Sequence, residues 1–500
     1  MSRSDDHDGP VAEWRDPVLL ALLVLGALVR IPPAFGDPWL DEVWSITEAA
    51  DLRSPVEVFT GFPHSNNHHL NTLVAYLLGA GAHPVLYRLH SLAAGIASVA
   101  LAWDIGRFRG RSAAAIAGML TATSYILIHF SSEARGYALL VFFALATRDA
   151  AWRFGRALGW RPAVAVWVCT PLGFLSHLTY LYVFVATALW LVIHLRRRCP
   201  RARDALRHAL RCFGVPLATL AVLYVLVLRH VVIGAADPYT LRSILVRTLS
   251  YAAGGPGGGV GAAIVAVVGG GALLAAIGWL RRAGGDEWLF YALVAIVVPA
   301  AVLLVLRPEV LAVQYFITSV AFALLAASVP AAALWDRGGR AAACVAAALV
   351  LYVAGNGANV SRLLRDGRGA YREGLLYMAA RTPGQVITVT SDHDFRNGMM
   401  LSYYERYLPD RKRIEYIPQE LQFPVEAVDD AAASSSATGA AWMLFHRIGA
   451  DRGVVPTIAD RNGTVYTLVK TLPYADLAGW EWFIYAKRPP GAEAPPAVSR

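Results

Sequence analysis

Charge is what this 500-residue sequence has least of. Only 16% of its residues are Asp, Glu, Lys or Arg, against about 25% in an ordinary soluble domain. So few charges over 56% hydrophobic residues cannot cover several soluble domains. Disorder needs low hydrophobicity and is excluded as well. Cysteine is nearly missing: Cys169, Cys199, Cys212 and Cys344, with no Cys-x-x-Cys pair. That argues against a disulfide framework or a zinc–thiolate site. Lysine is confined to Lys412, Lys470 and Lys487, so the net charge of +9 is almost wholly arginine. A mean hydropathy of +0.45 leaves an α-helical polytopic membrane protein.

A crossing needs about 20 mostly apolar residues. The sequence predicts about eleven, near 17–31, 84–106, 112–130, 136–150, 162–180, 181–195, 213–229, 260–280, 288–306, 315–334 and 340–358. Residues 1–16 read as a cytoplasmic tail. They carry Asp5, Asp6, Asp8, Glu13 and Asp16 against Arg3 and Arg15. A signal-peptide n-region is positive, so the first span is kept despite Ala34-Phe35-Gly36 after it. Residues 68–82 are apolar but short. Leu70, Leu73, Val74, Leu77 and Leu78 form a single helical stripe, the pattern of a helix lying in the interface.

The arginines test this arrangement. With the N-terminus inside, the inner loops hold Arg107, Arg109 and Arg111, then Arg148 to Arg161, then a dense run from Arg196 to Arg211. The outer loops hold few, as the positive-inside rule requires. Arginine spread through inner loops sets orientation and is no nucleic-acid patch. The expectation is a multi-pass protein of a bacterial cytoplasmic membrane, its C-terminus outside.

From residue 359 the composition becomes that of a soluble domain. β-like runs at 386–389, 414–417, 442–445, 465–469 and 482–485, with helical patterns at 369–381 and 397–407, predict a small α/β domain over 359–488. The Pro- and Ala-rich tail 489–500 reads as disordered. The transmembrane part, 17–358, has a first outer loop at 31–83, too long for a mere connector. Gly254–Gly259 lacks the Lys-Ser/Thr of a phosphate loop and reads as a flexible outer loop. Asp392-His393-Asp394 reads as a solvated strand-end loop, or less readily as a ligand site.

The unusual polar residues gather on the outer side: Asp41-Glu42, His64, Asn66-Asn67-His68-His69, Glu133-Ala134-Arg135-Gly136-Tyr137, His177, Arg307 and Tyr315. Each has a plain reading as a solvated loop residue, a helix cap or a satisfied core group. Ionisable groups at membrane depth cost about 2.5–3.5 kcal/mol each, so their concentration on one leaflet points to a site. Asp41 and Glu42 are adjacent and diverge by about 100° on a helix. One faces a pocket and the other anchors the loop or reaches a metal.

Three of these segments resemble the GT-C glycosyltransferases that use polyprenyl-phosphate sugars, close to the protein O-mannosyltransferase and lipid A aminoarabinose transferase groups. They are the acidic pair Asp41-Glu42, the stretch Asn66 to Asn71, and Glu133-Ala134-Arg135-Gly136-Tyr137. One departure is His68-His69-Leu70 where many relatives have His-Pro-Pro. The resemblance implies transfer of a sugar from a polyprenyl-phosphate donor to a glycan, lipid or protein acceptor on the outer face. It implies Asp41 as general base with Glu42 in support. Arg135 becomes the donor-phosphate ligand, because its fork suits phosphate. Tyr137, Glu133, Arg307 and Tyr315 are further candidates around the phosphate, and Asn67, His68, His69 and His177 candidates for contacting substrate. A divalent cation would draw on Asp41, His64 or His68: Mg²⁺ or Mn²⁺ through the carboxylate, Zn²⁺ through the histidines. A transporter or flippase of lipid-linked sugars is the rival class. It predicts polar residues on broken helices near the bilayer midplane and inverted repeats, whereas these residues lie in outer loops.

Overall fold

The structure, a computed structural model, describes residues 16–232, 240–308, 310–419, 426–427, 439–447, 455–460 and 463–488. Residues 1–15 of the expected tail and the expected disordered segment 489–500 lie outside them. The chain divides into two compact units. The first holds Met1–Ala34, Arg53–Val74 and Val85–Val360, the second Phe35–Leu52, Ala75–Pro84 and Ser361–Arg500.

Among the described residues, eight helices are long and apolar enough to cross a membrane. They number nine if Arg111–Thr123 and Tyr125–Ser131, bent by 57° at their junction, form one crossing. The expected count of eleven is not confirmed. The two others coincide with helices Tyr137–Ala157 and Trp160–Ser176. The first carries Arg148, Asp149, Arg153 and Arg156; the second has 17 residues and an internal Pro171. His69–Leu78 is a separate ten-residue helix, which at 1.5 Å per residue rises about 15 Å, half a hydrocarbon core.

The outward faces of the first unit are apolar: Val260 is 78% and Val305 77% exposed. Such faces are stable against lipid and costly against water. Inside, Leu19 and Leu22 pack with Val99, Trp103, Ala114 and Ala122. Arg30 closes this region and is 1% exposed. Its Nη1 donates to the carbonyls of Gly26 at 3.1 Å and Ala122 at 2.8 Å, and its Nη2 to Thr121 at 2.9 Å. Thr121 and Ala122 belong to the last turn of Arg111–Thr123, where carbonyls lack helical partners.

Charge explains why Tyr137–Ala157 reads poorly as a crossing. The buried Arg148 holds Glu287 at 2.5 Å and stands 5.0 Å from the Trp152 ring. Arg109 and the Tyr291 hydroxyl converge on the same carboxylate. The helix is thus tied to Glu287–Ala292 through an ion-pair cluster.

The Gly254 turn also differs from expectation, being packed where a flexible loop was expected. Gly254 has φ +83°, and a Cβ there would meet Asn356 Nδ2 at 2.8 Å and the Tyr352 carbonyl at 2.9 Å. The Gly255 carbonyl accepts from Asn359 Nδ2 at 2.9 Å. The glycines allow backbone to lie directly on a helix.

The second unit is built on one sheet. Its strands are β1 (Val386–Ser391), β2 (Arg413–Tyr416), β3 (Glu426–Ala427), β4 (Trp442–Arg447), β5 (Thr457–Ala459), β6 (Val465–Leu472) and β7 (Glu481–Lys487). The order is β2-β1-β4-β7-β6-β5-β3. β1 runs parallel to β2 and β4, and the other pairs are antiparallel. One side of the antiparallel part buries Met443, Ile458, Tyr466, Phe483 and Tyr485 together. Helices Tyr371–Arg381 and Asp394–Tyr404 accompany it. All five expected strands are present; β3 and β5, of two and three residues, were too short to leave a pattern.

Two segments from the expected first outer loop, Phe35–Leu52 and Ala75–Pro84, belong to this second unit. Helix Leu40–Asp51 packs on Asp394–Tyr404 through an edge-to-face contact of Trp44 with Phe395, centroids 5.2 Å apart. Tyr404 donates its hydroxyl to the Pro38 carbonyl at 2.7 Å, and the Arg372 amide donates to Asp37 at 2.9 Å.

Asp392 corrects the solvated-loop reading. It is 4% exposed and accepts from His446 Nδ1 at 3.0 Å and Asn397 Nδ2 at 2.9 Å. A carboxylate given donors inside the fold no longer needs water. Asp394 accepts the Tyr416 hydroxyl at 2.6 Å, whose own pKa is pushed up by burial and by that neighbouring carboxylate.

Candidate functional site

In the first unit the loop between Tyr125–Ser131 and Tyr137–Ala157 sets the geometry. The helix ends where Ser131 and Ser132 turn their hydroxyls back onto main-chain carbonyls, Leu127 at 2.6 Å and His129 at 2.9 Å. This local bonding competes with helix continuation. Gly136 then passes against the end of helix Trp160–Ser176 so closely that a Cβ would lie 2.0 Å from the Ser176 carbonyl oxygen. Only glycine lets the next helix start there. Ser91 donates to the Arg135 carbonyl at 3.0 Å and fixes the loop from the helix Pro84–Arg107.

This backbone delivers Arg135 to a buried group of rings. Its Nη1 donates to the Asn66 carbonyl at 3.1 Å, and its Nη2 stands 3.3 Å from His68 Nε2. The Gly136 amide donates to His68 Nδ1 at 2.8 Å. The His68 ring meets Tyr137 edge-on at 5.0 Å and His177 at 4.7 Å, and His177 meets Tyr315 at 5.8 Å. The Arg135 guanidinium stands 5.8 Å from the Tyr137 ring centre.

The protonation of His68 follows from its partners. Burial, and next the charge of Arg135, hold its pKa well below the usual imidazole range, so the ring is neutral at pH 7. Nδ1 accepts from Gly136, so the hydrogen-bond network assigns the ring proton to Nε2. Nε2–H then faces a second donor, the Arg135 Nη2. The guanidinium thus stands buried beside a neutral imidazole, and its planar fork suits a phosphate or carboxylate.

The other expected residues are placed as follows. Glu133 is buried in the same loop, and its carbonyl accepts the Arg135 amide at 3.0 Å. Asn67 spends its amide hydrogens on the Val58 and Phe62 carbonyls and accepts from Thr72. His69 stacks on Phe59 at 5.6 Å, and burial lowers its pKa to about 4. His64 accepts the Asn66 amide at 3.1 Å. Arg307 is exposed at the end of Val298–Leu306, in a left-handed conformation with φ +43°, away from the contacts just described.

Asp41 and Glu42 lie in the first turn of Leu40–Asp51, in the second unit. Glu42 is fully buried and reaches back to accept the Trp39 amide at 3.2 Å. That bond closes the helix start from its third position. Asp41 is half-buried one residue earlier. Of the adjacent pair, Glu42 is thus the anchoring member.

A metal finds no ready cage. Among the described residues no three His, Cys, Asp or Glu stand close enough to hold one. Both His68 ring nitrogens already face the Gly136 amide and Arg135, so this ring does not fit a metal ligand. Ser91 and Gly136 were not singled out from the sequence. Gly136 stands at the variable position of the Glu-Ala-Arg-x-Tyr element and Ser91 inside an apolar span, and neither position carries a signal.

Among solved structures, the chain is similar to ArnT from Cupriavidus metallidurans in the apo state. The TM-score is 0.50 at 13% identity, covering 80% of this chain and 86% of that one. The fold is that of the GT-C glycosyltransferases. ArnT from the same organism bound to undecaprenyl phosphate matches over 95% of this chain and 98% of that chain, at TM-score 0.45 and 13% identity. The Archaeoglobus fulgidus oligosaccharyltransferase complex with Zn and sulfate matches over 79% and 62%, at TM-score 0.44 and 10% identity. No family model and no curated protein matches the sequence.

Proposed function

We propose that this GT-C-fold protein is a membrane glycosyltransferase moving a sugar from a polyprenyl-phosphate donor to an acceptor hydroxyl on the outer face. The observation that carries this reading is the burial of Arg135 beside His68, Nη2 to Nε2 3.3 Å, at a site lined by Tyr137, His177 and Tyr315. In the reaction the bond between the sugar's anomeric carbon and the phosphate oxygen breaks. The acceptor oxygen bonds to that carbon and loses its proton. The phosphodiester carries one negative charge and the departing polyprenyl phosphate two, so donors fixed beside it favour the transition state. Arg135 and His68 are the proposed ligands of that phosphate. Asp41 is the proposed base, taking the acceptor proton late in the attack, with Glu42 holding the helix that carries it.

The test is transfer of labelled sugar from a polyprenyl-phosphate donor by membranes containing the protein. Hydrogen bonds to charged groups contribute about 1.5–3 kcal/mol, so Arg135→Met is expected to lower transfer about 10- to 150-fold. Asp41→Asn is expected to abolish transfer at unchanged expression. Full activity in Asp41→Asn sinks the assignment of the base. Orientation is tested separately: Cys199 labels from the cytoplasmic side with an impermeant thiol reagent, whereas the buried Cys212 stays silent from both.

A further inference from the structure

Basic charge is densest where one membrane helix ends and the next begins. From Arg196 to Arg211 the chain places seven arginines against a single acid, Asp204. They occupy the end of helix Leu181–Arg198, the short turn after it and the start of helix Ala202–Leu226. All seven are exposed. Asp204 stands 3.8 Å from Arg207, so a large positive excess remains.

Arginines that only set orientation need nothing but charge. This segment also carries leucine, with Leu206 59% and Leu210 54% exposed. Arg203, Leu206, Arg207 and Leu210 follow the i, i+3, i+4, i+7 spacing and share one helical face. Ala205, Ala209, Cys212 and Phe213 are buried on the other side. The first turns of the helix thus present leucines and arginines together on an outward face.

Depth decides what meets that face. Helix Ala202–Leu226 has 25 residues and rises about 37 Å, longer than a hydrocarbon core of ~30 Å. No charged residue occurs from Cys212 to Leu228, so this stretch fills the core and Ala202–Arg211 emerges at headgroup level. Trp160 marks the same level, 62% exposed at the start of helix Trp160–Ser176, as an interfacial anchor does. Arg211 Nη1 donates to the neighbouring Leu158 carbonyl at 3.2 Å, and the Trp167 indole donates to the Arg211 carbonyl at 3.0 Å. Arg198 donates to the Gly155 carbonyl. Both sides of the turn are therefore fastened to the helices behind them, and the face is held in place.

We propose that this face binds the headgroups of anionic phospholipids. The leucines reach the boundary of the acyl chains, and the arginines extend their stems alongside to the phosphates and the negative lipid surface. An acidic protein would engage the arginines and leave Leu206 and Leu210 without apolar partners, so the mixed face favours lipid. The surface is independent of the proposed transfer site.

The experiment uses the full chain in detergent and native mass spectrometry, with phosphatidylglycerol and phosphatidylcholine of identical acyl chains as probes. One arginine near an anionic surface contributes about fivefold, so phosphatidylglycerol is expected to bind about tenfold more tightly or better. Arg201→Gln/Arg203→Gln/Arg207→Gln is expected to reduce that preference below about threefold. The corresponding triple lysine variant is expected to keep it, which separates lost charge from lost folding. Leu206→Gln/Leu210→Gln is expected to weaken both lipids. Arg281→Gln/Arg282→Gln, at another helix end, is expected to bind as the parent does. Parental preference in the triple glutamine variant overturns the proposal. So does an equal loss in Arg281→Gln/Arg282→Gln, which would make the effect common to any basic helix end. Displacement of phosphatidylglycerol by a polyglutamate peptide, undiminished in Leu206→Gln/Leu210→Gln, overturns it in favour of an acidic protein partner.

Discussion

Replacing Gly136 with alanine joins the fold to the site in one measurement. The added Cβ would stand 2.0 Å from the Ser176 carbonyl oxygen and 3.0 Å from His68 Nδ1. Carbon and carbonyl oxygen rest comfortably at about 3.3 Å, so the end of helix Trp160–Ser176 must retreat by roughly 1 Å. Gly136 has φ −76°, ordinary for alanine, so the penalty is contact and not backbone strain. Overpacking costs about 1–3 kcal/mol. Displacement also endangers the Gly136 amide bond to His68, worth about 1 kcal/mol. The expected loss is about 2–4 kcal/mol in stability. The proposed phosphate ligands, Arg135 and His68, shift with the loop, and a 1 Å misplacement costs about 10²-fold in rate. Thermal unfolding in detergent and sugar transfer in membranes measure the two effects. Gly81→Ala is the control, since a Cβ there meets nothing within 4 Å. If Gly136→Ala melts like Gly81→Ala and transfers sugar at the parental rate, the close approach of the two helices is refuted.

Other outcomes follow from buried charge. His69 has a pKa near 4 against 6.5 in a free chain, so below pH 6.5 the unfolded chain binds a proton that the folded one refuses. Its stabilising contribution is intact above 6.5 and falls by about 3 kcal/mol as the pH drops toward 4; His69→Gln should flatten that slope in melts across the range. Glu287→Leu leaves Arg148 buried without its carboxylate and is expected to cost about 3–5 kcal/mol. Adding Arg148→Met should recover most of that loss in chemical unfolding, and failure to recover would show that the pair is not the source of the effect.

The sequence showed its organisation wherever one physical signal ran long enough. Apolar runs marked the spans, and short β-like runs marked strands, as 465–469 did for Val465–Leu472. Two kinds of feature stayed hidden. Arg148 looked like a loop charge because nothing in sequence links it to Glu287, 139 positions away. The attachment of Leu40–Asp51 to Asp394–Tyr404 rests on pairs such as Trp44 with Phe395, which only folding brings together. In the candidate site, His68, Arg135, Tyr137, His177 and Tyr315 were each conspicuous as polar groups beside apolar spans. Their convergence was not readable, because it depends on a glycine and a serine hydroxyl that look ordinary in the chain. Arg307 was a candidate by side and depth alone, and it is exposed at the end of Val298–Leu306.

The clasp made by Arg30 has a consequence for the order in which the membrane part assembles. When the first helix enters the bilayer, its arginine carries a penalty of about 2.5–3.5 kcal/mol at membrane depth. Two of the three carbonyls that accept from it, Thr121 and Ala122, are some ninety residues behind it in synthesis. Until they arrive, the first helix is held in place only by its apolar length, and Arg30 favours the headgroup layer. A nascent chain halted before residue 121 should therefore keep its first helix extractable or shallow. One halted beyond helix Tyr125–Ser131 should lock it. The first crossing of this protein is completed by a later one.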